Sequence, residues 1–167
     1  MKISLDNIDA FVFDFDGVLT NNLVQIDENG KESVCCSRAD GLAFDVLRKL
    51  NKPAFILSTE KNSVVEMRAK KIKIPAILGV INKMEAIKEL ANKNSFRLEN
   101  ILYVGNDLND YFAMQLCGCK VCPADSHPKI KSMSDIILNS TGGNGVVREL
   151  LEEVLNIDFI KILYQSN

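Results

Sequence analysis

Histidine is nearly absent from this sequence: His127 is the only one in 167 residues. Any zinc knuckle would therefore have to be built almost entirely from cysteine. The five cysteines, Cys35, Cys36, Cys117, Cys119 and Cys122, include a C-x-C-x2-C run, but no second pair matches it. Buried, unreactive thiols are the expectation instead. The odd count and the lack of an export signal exclude a disulfide framework. No long hydrophobic run is present either. The opening "MKISLDNIDAFVFDF" is too short in its apolar part, and too flanked by acids, for a signal peptide or a membrane span. A cytoplasmic protein with no membrane partner is expected. No basic stripe accompanies the net charge of −2, so nucleic acid is not expected as a partner. There is also no internal repeat, low-complexity tract or linker.

What remains is an ordinary globular composition, 47% hydrophobic and 25% charged. The length suits one domain spanning residues 1–167. Short apolar runs at 8–15, 53–58, 74–78, 101–105, 119–123 and 135–138 read as buried strands. Helical spacing of apolar residues falls between them, at 41–50, 62–72, 83–93 and 109–117. A short helix at most fits 127–134, and an amphipathic helix closes the domain at 144–155. This alternation predicts an α/β fold, a three-layer α/β/α Rossmann-like parallel sheet covered on both faces. Right-handed crossovers would place every strand's C-terminal end along one edge, where such sheets bind ligands. The stretch from about 19 to 37 has no helical period. "LVQI" and "ESVCCS" flank "DENGK", and Asn29-Gly30 is a turn signal. It reads as a β-hairpin projecting from the catalytic edge, too small to stand alone and expected to pack on something, such as a neighbouring subunit.

The predicted strand ends carry a particular set of polar groups. "FVFDFDGVLT" runs apolar residues into Asp14 and Asp16, one residue apart, and then Gly17. Ser58 ends the second strand, Lys83 opens the helix after the third, and "GNDLND" (105–110) follows the fourth. Phosphoryl transfer through an aspartyl-phosphate uses this set. Asp14 is the candidate nucleophile, and Asp16 protonates the leaving oxygen and later deprotonates water. Gly17 lets the chain turn without a side chain blocking the phosphate. Ser58 donates to a phosphoryl oxygen, and Lys83 neutralises developing charge and orients the nucleophile. Mg2+ is the implied cofactor, with Asp14, Asp16 and Asp107 as candidate ligands and Asp110 as a holder of metal-bound water. Beside Ser58, Thr59 and Glu60 are candidate substrate contacts, Glu60 accepting from sugar hydroxyls or an amine. Arg68 and Lys71 share a helix face that either meets a substrate carboxylate, Arg68 in bidentate fashion, or is simply solvated. Arg38, at the hairpin's exit, can also touch substrate. Arg148 pairs with a carboxylate on its own helix. The glycines of "TGGNG" suit either a tight loop near the phosphate edge or a helix start, and Asp125, Ser126 and Pro128 read as a loop and helix cap.

With these residues in place, the chain resembles the haloacid dehalogenase superfamily of phosphohydrolases in "DFDGVLT", Ser58, Lys83 and "GNDLND". Within it the resemblance is to the small phosphatases without a cap domain that act on 3-deoxy-D-manno-octulosonate 8-phosphate and on nine-carbon acylneuraminate 9-phosphates. Asp40-Gly41, "VGNDLND", "PADSHP" (123–128) and "GGNGVVRE" (142–149) carry it. The resemblance implies a sugar-phosphate substrate and a homotetramer in which one subunit's hairpin helps cover a neighbour's site. Two departures stand out. The octulosonate enzymes typically carry Thr-Gly-Arg after the second strand, whereas here Ser58-Thr59-Glu60 is followed by Lys61, closer to the acylneuraminate branch. Asn106 stands where many relatives have aspartate, which shifts the expected metal ligand of this loop to Asp107. The departure at Asn106 keeps open a second reading, a catalytically weak interaction or tetramerisation module of the kind attached to nucleotide-sugar synthases. A receiver-type phospho-acceptor domain uses similar groups, but its acceptor aspartate ends a middle strand and its acidic pair comes earlier, the reverse of the order here.

Overall fold

Apolar on both sides, Ala10–Phe13 (β1) requires cover on two faces, and it forms the middle of the sheet. The computed structural model describes residues 3–165. The chain next forms a two-stranded hairpin of Gln25–Ile26 (β2) and Glu32–Ser33 (β3). Strand β1 pairs in parallel with Ala54–Leu57 (β4) on one side and Ile101–Val104 (β6) on the other. Ala76–Ile77 (β5) lies beyond β4; Cys119–Cys122 (β7) and Ile136–Ile137 (β8) lie beyond β6. The order β5-β4-β1-β6-β7-β8 makes β1 the strand from which the chain leaves first to one side and later to the other. That switch point is where ligands bind in open parallel sheets.

Side chains alternate across the sheet as the two-residue period requires. Phe11, Phe13, Ile56, Leu102 and Val104 join one core cluster, with Phe44 and Leu47 of Arg38–Lys49 (α1), Val65 and Ala69 of Ser63–Ile72 (α2), and Val146 and Val147 of Val146–Glu149 (α6). Val12, Leu57, Ile101 and Tyr103 join the other, against Ile87 and Leu90 of Lys83–Asn94 (α3), Met114 of Tyr111–Leu116 (α4) and Ile130 of Pro128–Met133 (α5). The expected three layers are therefore present. Helix α6 runs on through a π-helical turn at Leu150–Val154, and a last π-helical turn at Lys161–Gln165 had no sequence signal. Among the described residues no helix is long and apolar enough to cross a membrane.

Helix starts are set by short polar side chains that satisfy free amides. Ser37 accepts from the Ala39 amide, Asn62 from Val64, and Asn82 from Met84 and Glu85. The Asn82 cap fixes Lys83 as the first residue of α3. In the hairpin, Asp27 Oδ1 accepts from the amides of Asn29 and Lys31, each at 2.9 Å, and Gly30 takes φ +77°. That left-handed glycine closes a three-residue loop. The hairpin leaves Leu23 69% and Ile26 64% exposed, while the Asn62 side chain donates to Glu32 and ties the ribbon to the start of α2.

Asp40, in the first turn of α1, caps a different helix. Its Oδ1 accepts from Val147 N at 2.9 Å and Arg148 N at 3.1 Å at the start of α6, while its buried Oδ2 has no hydrogen-bond partner among the described residues. Burial pushes its carboxyl up to about 6, against the pull of the Arg148 and Val147 amides and the Arg68 charge. A carboxyl that binds its proton more tightly in the folded state than unfolded stabilises the fold at low pH and loses that contribution as pH rises from about 4 to about 6. The difference amounts to about 3 kcal/mol. Asp40→Asn keeps an acceptor oxygen and removes this ionisation. Denaturant unfolding of both proteins between pH 4 and pH 7 should show the variant gaining on the wild type as pH rises; a constant difference would remove Asp40 as the cause.

Candidate active site

Four strand ends deliver the groups expected of them. Asp14 follows β1, Ser58 follows β4, Lys83 opens α3 after β5, and the Gly105–Asp110 loop follows β6. Asp14, Asp16, Ser58, Thr59, Glu60, Asn106 and Asp107 line one pocket of about 310 Å³. Among the described residues no lysine or arginine lines it.

Behind the pocket lies a buried charge cluster. Lys83 Nζ sits 2.6 Å from Asp14 Oδ1 and 2.8 Å from Asp110 Oδ1, all three side chains being almost wholly buried. The Tyr103 hydroxyl donates to the same Asp110 oxygen at 2.9 Å, and Asp110 Oδ2 accepts from the Asn106 amide at 3.0 Å. Burial lowers the proton affinity of Lys83, but the charges of Asp14 and Asp110 outweigh it and hold the ammonium protonated. Burial, reinforced by the charge of Asp110, pushes the Asp14 carboxyl up to about 8 against the opposing pull of Lys83. One ammonium between two carboxylates leaves a net negative charge in a dry place, and Asp14 therefore attracts either a proton or a cation.

The second oxygen of Asp14 shows where a cation fits. One end of the Asn106 side-chain amide lies 2.9 Å from the Asp16 carbonyl oxygen and 3.2 Å from Asp14 Oδ2; with its nitrogen at that end, Asn106 donates to both. With its oxygen at that end instead, acceptors would crowd together, an arrangement that only a cation would favour. Neighbouring oxygens around Mg2+ lie about 3 Å apart, and both separations from Asn106 fit that spacing, so a bound cation would turn the amide oxygen inward. Among the described residues no three acidic, histidine or cysteine side chains gather to hold a metal. The donors here are one carboxylate, one carbonyl and one amide. Asp16 contributes its main chain to this group, while its side chain accepts from Thr20 Oγ1 at 3.1 Å. Burial raises the Asp16 carboxyl, partly offset by Thr20 and Lys83, a shift in the direction a proton donor needs. Ser58 Oγ accepts from Glu60 N at 3.1 Å, leaving its own hydrogen free to donate.

Several expected site residues lie elsewhere or make other contacts. Asp107 is exposed on the rim and its Oδ1 accepts from the Leu108 amide at 2.7 Å; Asn106, not Asp107, reaches the oxygens of Asp14 and Asp16. The oxygens of Asp110 are taken up by Lys83, Tyr103 and loop amides rather than turned toward the pocket. Gly17, at φ +81°, makes room for Asn106 rather than for phosphate: a Cβ there would lie 1.9 Å from Asn106 Nδ2. Arg38, Arg68 and Lys71 line a separate pocket of about 320 Å³ beside α1 and α2, and Arg68 donates to the Ser37 carbonyl at 2.7 Å. Arg148 pairs with Glu152 on its own helix, as expected. Cys117, Cys119 and Cys122 are buried free thiols, and burial pushes Cys117 and Cys119 up to about 12. Sequence reading missed Tyr103 and Thr20. Tyr103 looks like one more core residue in a four-residue apolar strand, and Thr20 sits at a spacing from Asp16 that only the turn explains.

A buried carboxylate held by a lysine, beside a second acid at the switch point of a parallel sheet, suits a phosphoryl-transferring hydrolase of the α/β class. Comparison with known proteins agrees. The model of the haloacid dehalogenase-like hydrolase family matches residues 48–150. The 3-deoxy-D-manno-octulosonate 8-phosphate phosphatase of Salmonella typhi is 32% identical over 151 residues, 90% of this chain and 80% of that protein. A HAD family hydrolase structure from Streptomyces avermitilis superposes with a TM-score of 0.91 at 38% identity, covering 95% of this chain and 98% of the other. The Moraxella catarrhalis 3-deoxy-D-manno-octulosonate 8-phosphate phosphatase, in complex with magnesium ion, phosphate ion and KDO, gives a TM-score of 0.86 at 30% identity, over 90% and 87% of the two chains. The chain belongs to the haloacid dehalogenase-like hydrolases, and it is a phosphatase of the kind that lacks a cap domain.

If Asn106 supplies its amide oxygen to a divalent cation, a charged oxygen in its place binds that cation more tightly. Asn106→Asp should lower the dissociation constant for Mg2+ about tenfold by calorimetry, while lowering the melting temperature of the metal-free protein because another carboxylate joins the buried cluster. Unchanged Mg2+ affinity would show that residue 106 is not a ligand.

Proposed function

We propose that the protein is a magnesium-dependent phosphomonoesterase for an acidic keto-sugar phosphate, with nine-carbon acylneuraminate 9-phosphates ahead of 3-deoxy-D-manno-octulosonate 8-phosphate. The observation that carries this is the position of Asp14. Its Oδ1 is fixed by Lys83 at 2.6 Å and by the Phe15 amide at 2.7 Å, leaving Oδ2 beside Asn106 and the Asp16 carbonyl at the pocket. Asp14 Oδ2, the Asp16 carbonyl and, with its amide oxygen turned inward, Asn106 would hold magnesium, which would offset the repulsion between the carboxylate and the phosphate.

The chain's own groups then account for both half-reactions. The Asp14 carboxylate attacks phosphorus and the bond from phosphorus to the sugar oxygen breaks. Asp16 gives its proton to that oxygen, so the sugar leaves as an alcohol. Asp14 now carries the phosphoryl group as an acyl phosphate. Asp16, deprotonated, takes a proton from water as the water oxygen attacks phosphorus. The bond to Asp14 breaks, inorganic phosphate leaves, and both carboxyl groups return to their starting states. Ser58 donates its free hydroxyl hydrogen to a phosphoryl oxygen, and Lys83 favours the ionised form of Asp14 against burial and holds it in position.

The relatives with printed substrates support a keto-sugar phosphate. Thr59 and Glu60, which line the pocket, stand in place of Gly-Arg and favour the nine-carbon sugar, Glu60 accepting from its hydroxyls or amide. For Arg38, Arg68 and Lys71 to meet the substrate's carboxylate, a second copy of the chain must present them, since within one chain they face another pocket. A steady-state comparison of the eight-carbon and nine-carbon phosphates, with Mg2+ present, tests the reading. Wild type should release phosphate from both, with the higher kcat/KM on the nine-carbon substrate, and Asp14→Asn should release none while melting as a folded protein. No turnover of either sugar by wild type would leave the chain as an assembly module, and turnover by Asp14→Asn would remove the nucleophile.

A further inference from the structure

We propose that the Thr141–Gly145 loop, anchored by Asp125, is a positioning buttress for the turn that aims Asp16, so that Gly142, Gly143 and Asp125 govern proton donation to the leaving group. The inference rests on the reading of Asp16 as the proton donor.

The orientation of Asp16 depends on the turn after it. Thr20 is completely buried, and its Oγ1 donates to Asp16 Oδ1 at 3.1 Å while accepting from the amides of Gly17 and Asn22, each at 3.2 Å. One hydroxyl thus ties the carboxyl of Asp16 to both ends of the Gly17–Asn22 turn. Wherever Thr20 moves, the acid moves with it.

Thr20 is in turn held from outside the turn. The Gly143 amide donates to the Val18 carbonyl at 3.0 Å. A Cβ on Gly142 would lie 2.4 Å from the Gly17 carbonyl oxygen and 2.8 Å from that of Thr20; one on Gly143 would lie 2.6 Å from the Asn21 nitrogen. These are contacts with main chain, which cannot swing aside as the end of a long side chain can. Gly143 also has φ +73°, so its backbone angle asks for glycine. Gly142 has no such angle; there the requirement is close approach alone. The loop is anchored on its far side. The Gly142 amide donates to Asp125 Oδ1 at 2.9 Å, the Ala124 amide to the Ser140 carbonyl at 2.9 Å, and Glu149 accepts from the amides of Asn139 and Ser140. Loops from the ends of β7 and β8 are therefore locked together and pressed on the loop from the end of β1. Proton transfer tolerates little error in donor position, and the glycine pair removes the slack.

Leaving groups distinguish this role from a general structural one. A sugar alkoxide needs a proton to depart, whereas p-nitrophenolate leaves without one. The ratio kcat/KM reports steps through departure of the alcohol, so the later use of Asp16 as a base does not enter. Gly142→Ala should lower kcat/KM for the better of the two keto-acid phosphates at least about tenfold, and for p-nitrophenyl phosphate by less than about threefold. Asp125→Ala, which leaves every glycine in place, should show the same asymmetry at smaller size, and Asp125→Asn, which keeps an acceptor oxygen, should restore most of it. Should Gly142→Ala not fold, the Asp125 pair decides. Equal losses on both substrates in the folded variants, or no loss on either, overturn the buttress and leave the phosphatase reading intact. A wild type inactive on both substrates overturns that reading itself.

Discussion

Everything at this site depends on one buried ammonium. Lys83 lies between Asp14 and Asp110 with almost no exposure of any of the three. Taking such charges out of water costs several kcal/mol for each ion, and the close contacts of Lys83 with both carboxylates offset that cost. Lys83 begins α3, Asp110 precedes α4 and Asp14 directly follows β1, so the cluster ties two helix starts to the central strand. Tyr103 extends it by one hydrogen bond from within the sheet. Removing any one member leaves an uncompensated charge or an unpaired oxygen, which makes the cluster a structural joint as much as a catalytic one.

The same cluster explains why the pocket calls for a cation. Two carboxylates share one ammonium, and the remaining charge gathers at Asp14, whose carboxyl holds its proton far above the usual range. The pocket walls add Asp16, Glu60 and Asp107 and, among the described residues, no basic side chain. A phosphate dianion entering such a place is repelled unless a divalent cation accompanies it. The Asn106 side-chain amide stands beside Asp14 Oδ2 and the Asp16 carbonyl at the spacing such an ion's ligands use, and either end of it can face them. An asparagine at this position brings no charge of its own to the pocket.

Much of this was legible in the chain itself. The alternation of apolar runs and helical patterns predicted the parallel sheet, its two covered faces and the projecting hairpin, because burial on two faces leaves few other arrangements. Asp14, Asp16, Ser58 and Lys83 could be picked out because each falls at the end of a strand or the start of the next helix, and those ends share an edge. Asp107 could not be told from Asn106 in the same way. Both are next to one another in a loop, and which side chain turns inward is set by a backbone angle. The cationic residues of α2 were placed on the right helix face, but how far that face stands from the pocket is a distance between elements. Thr20 and Tyr103 were missed for a common reason: each acts through a neighbour hidden by a turn or by the strand pattern. The glycines of 142–145 were read as a tight loop near the phosphate edge or a helix start, and only their contacts show which main chain they meet.

Strand and helix identity, the covered sheet and the chemistry of its ends were thus determined by local pattern, since hydrophobic period and polar residue type are properties of short stretches of chain. The tertiary structure alone decided which oxygens face one another, which acid is held and which is left to react, and which glycines exist to let two loops touch. Those are distances between segments that lie far apart along the chain, and no stretch of sequence contains them.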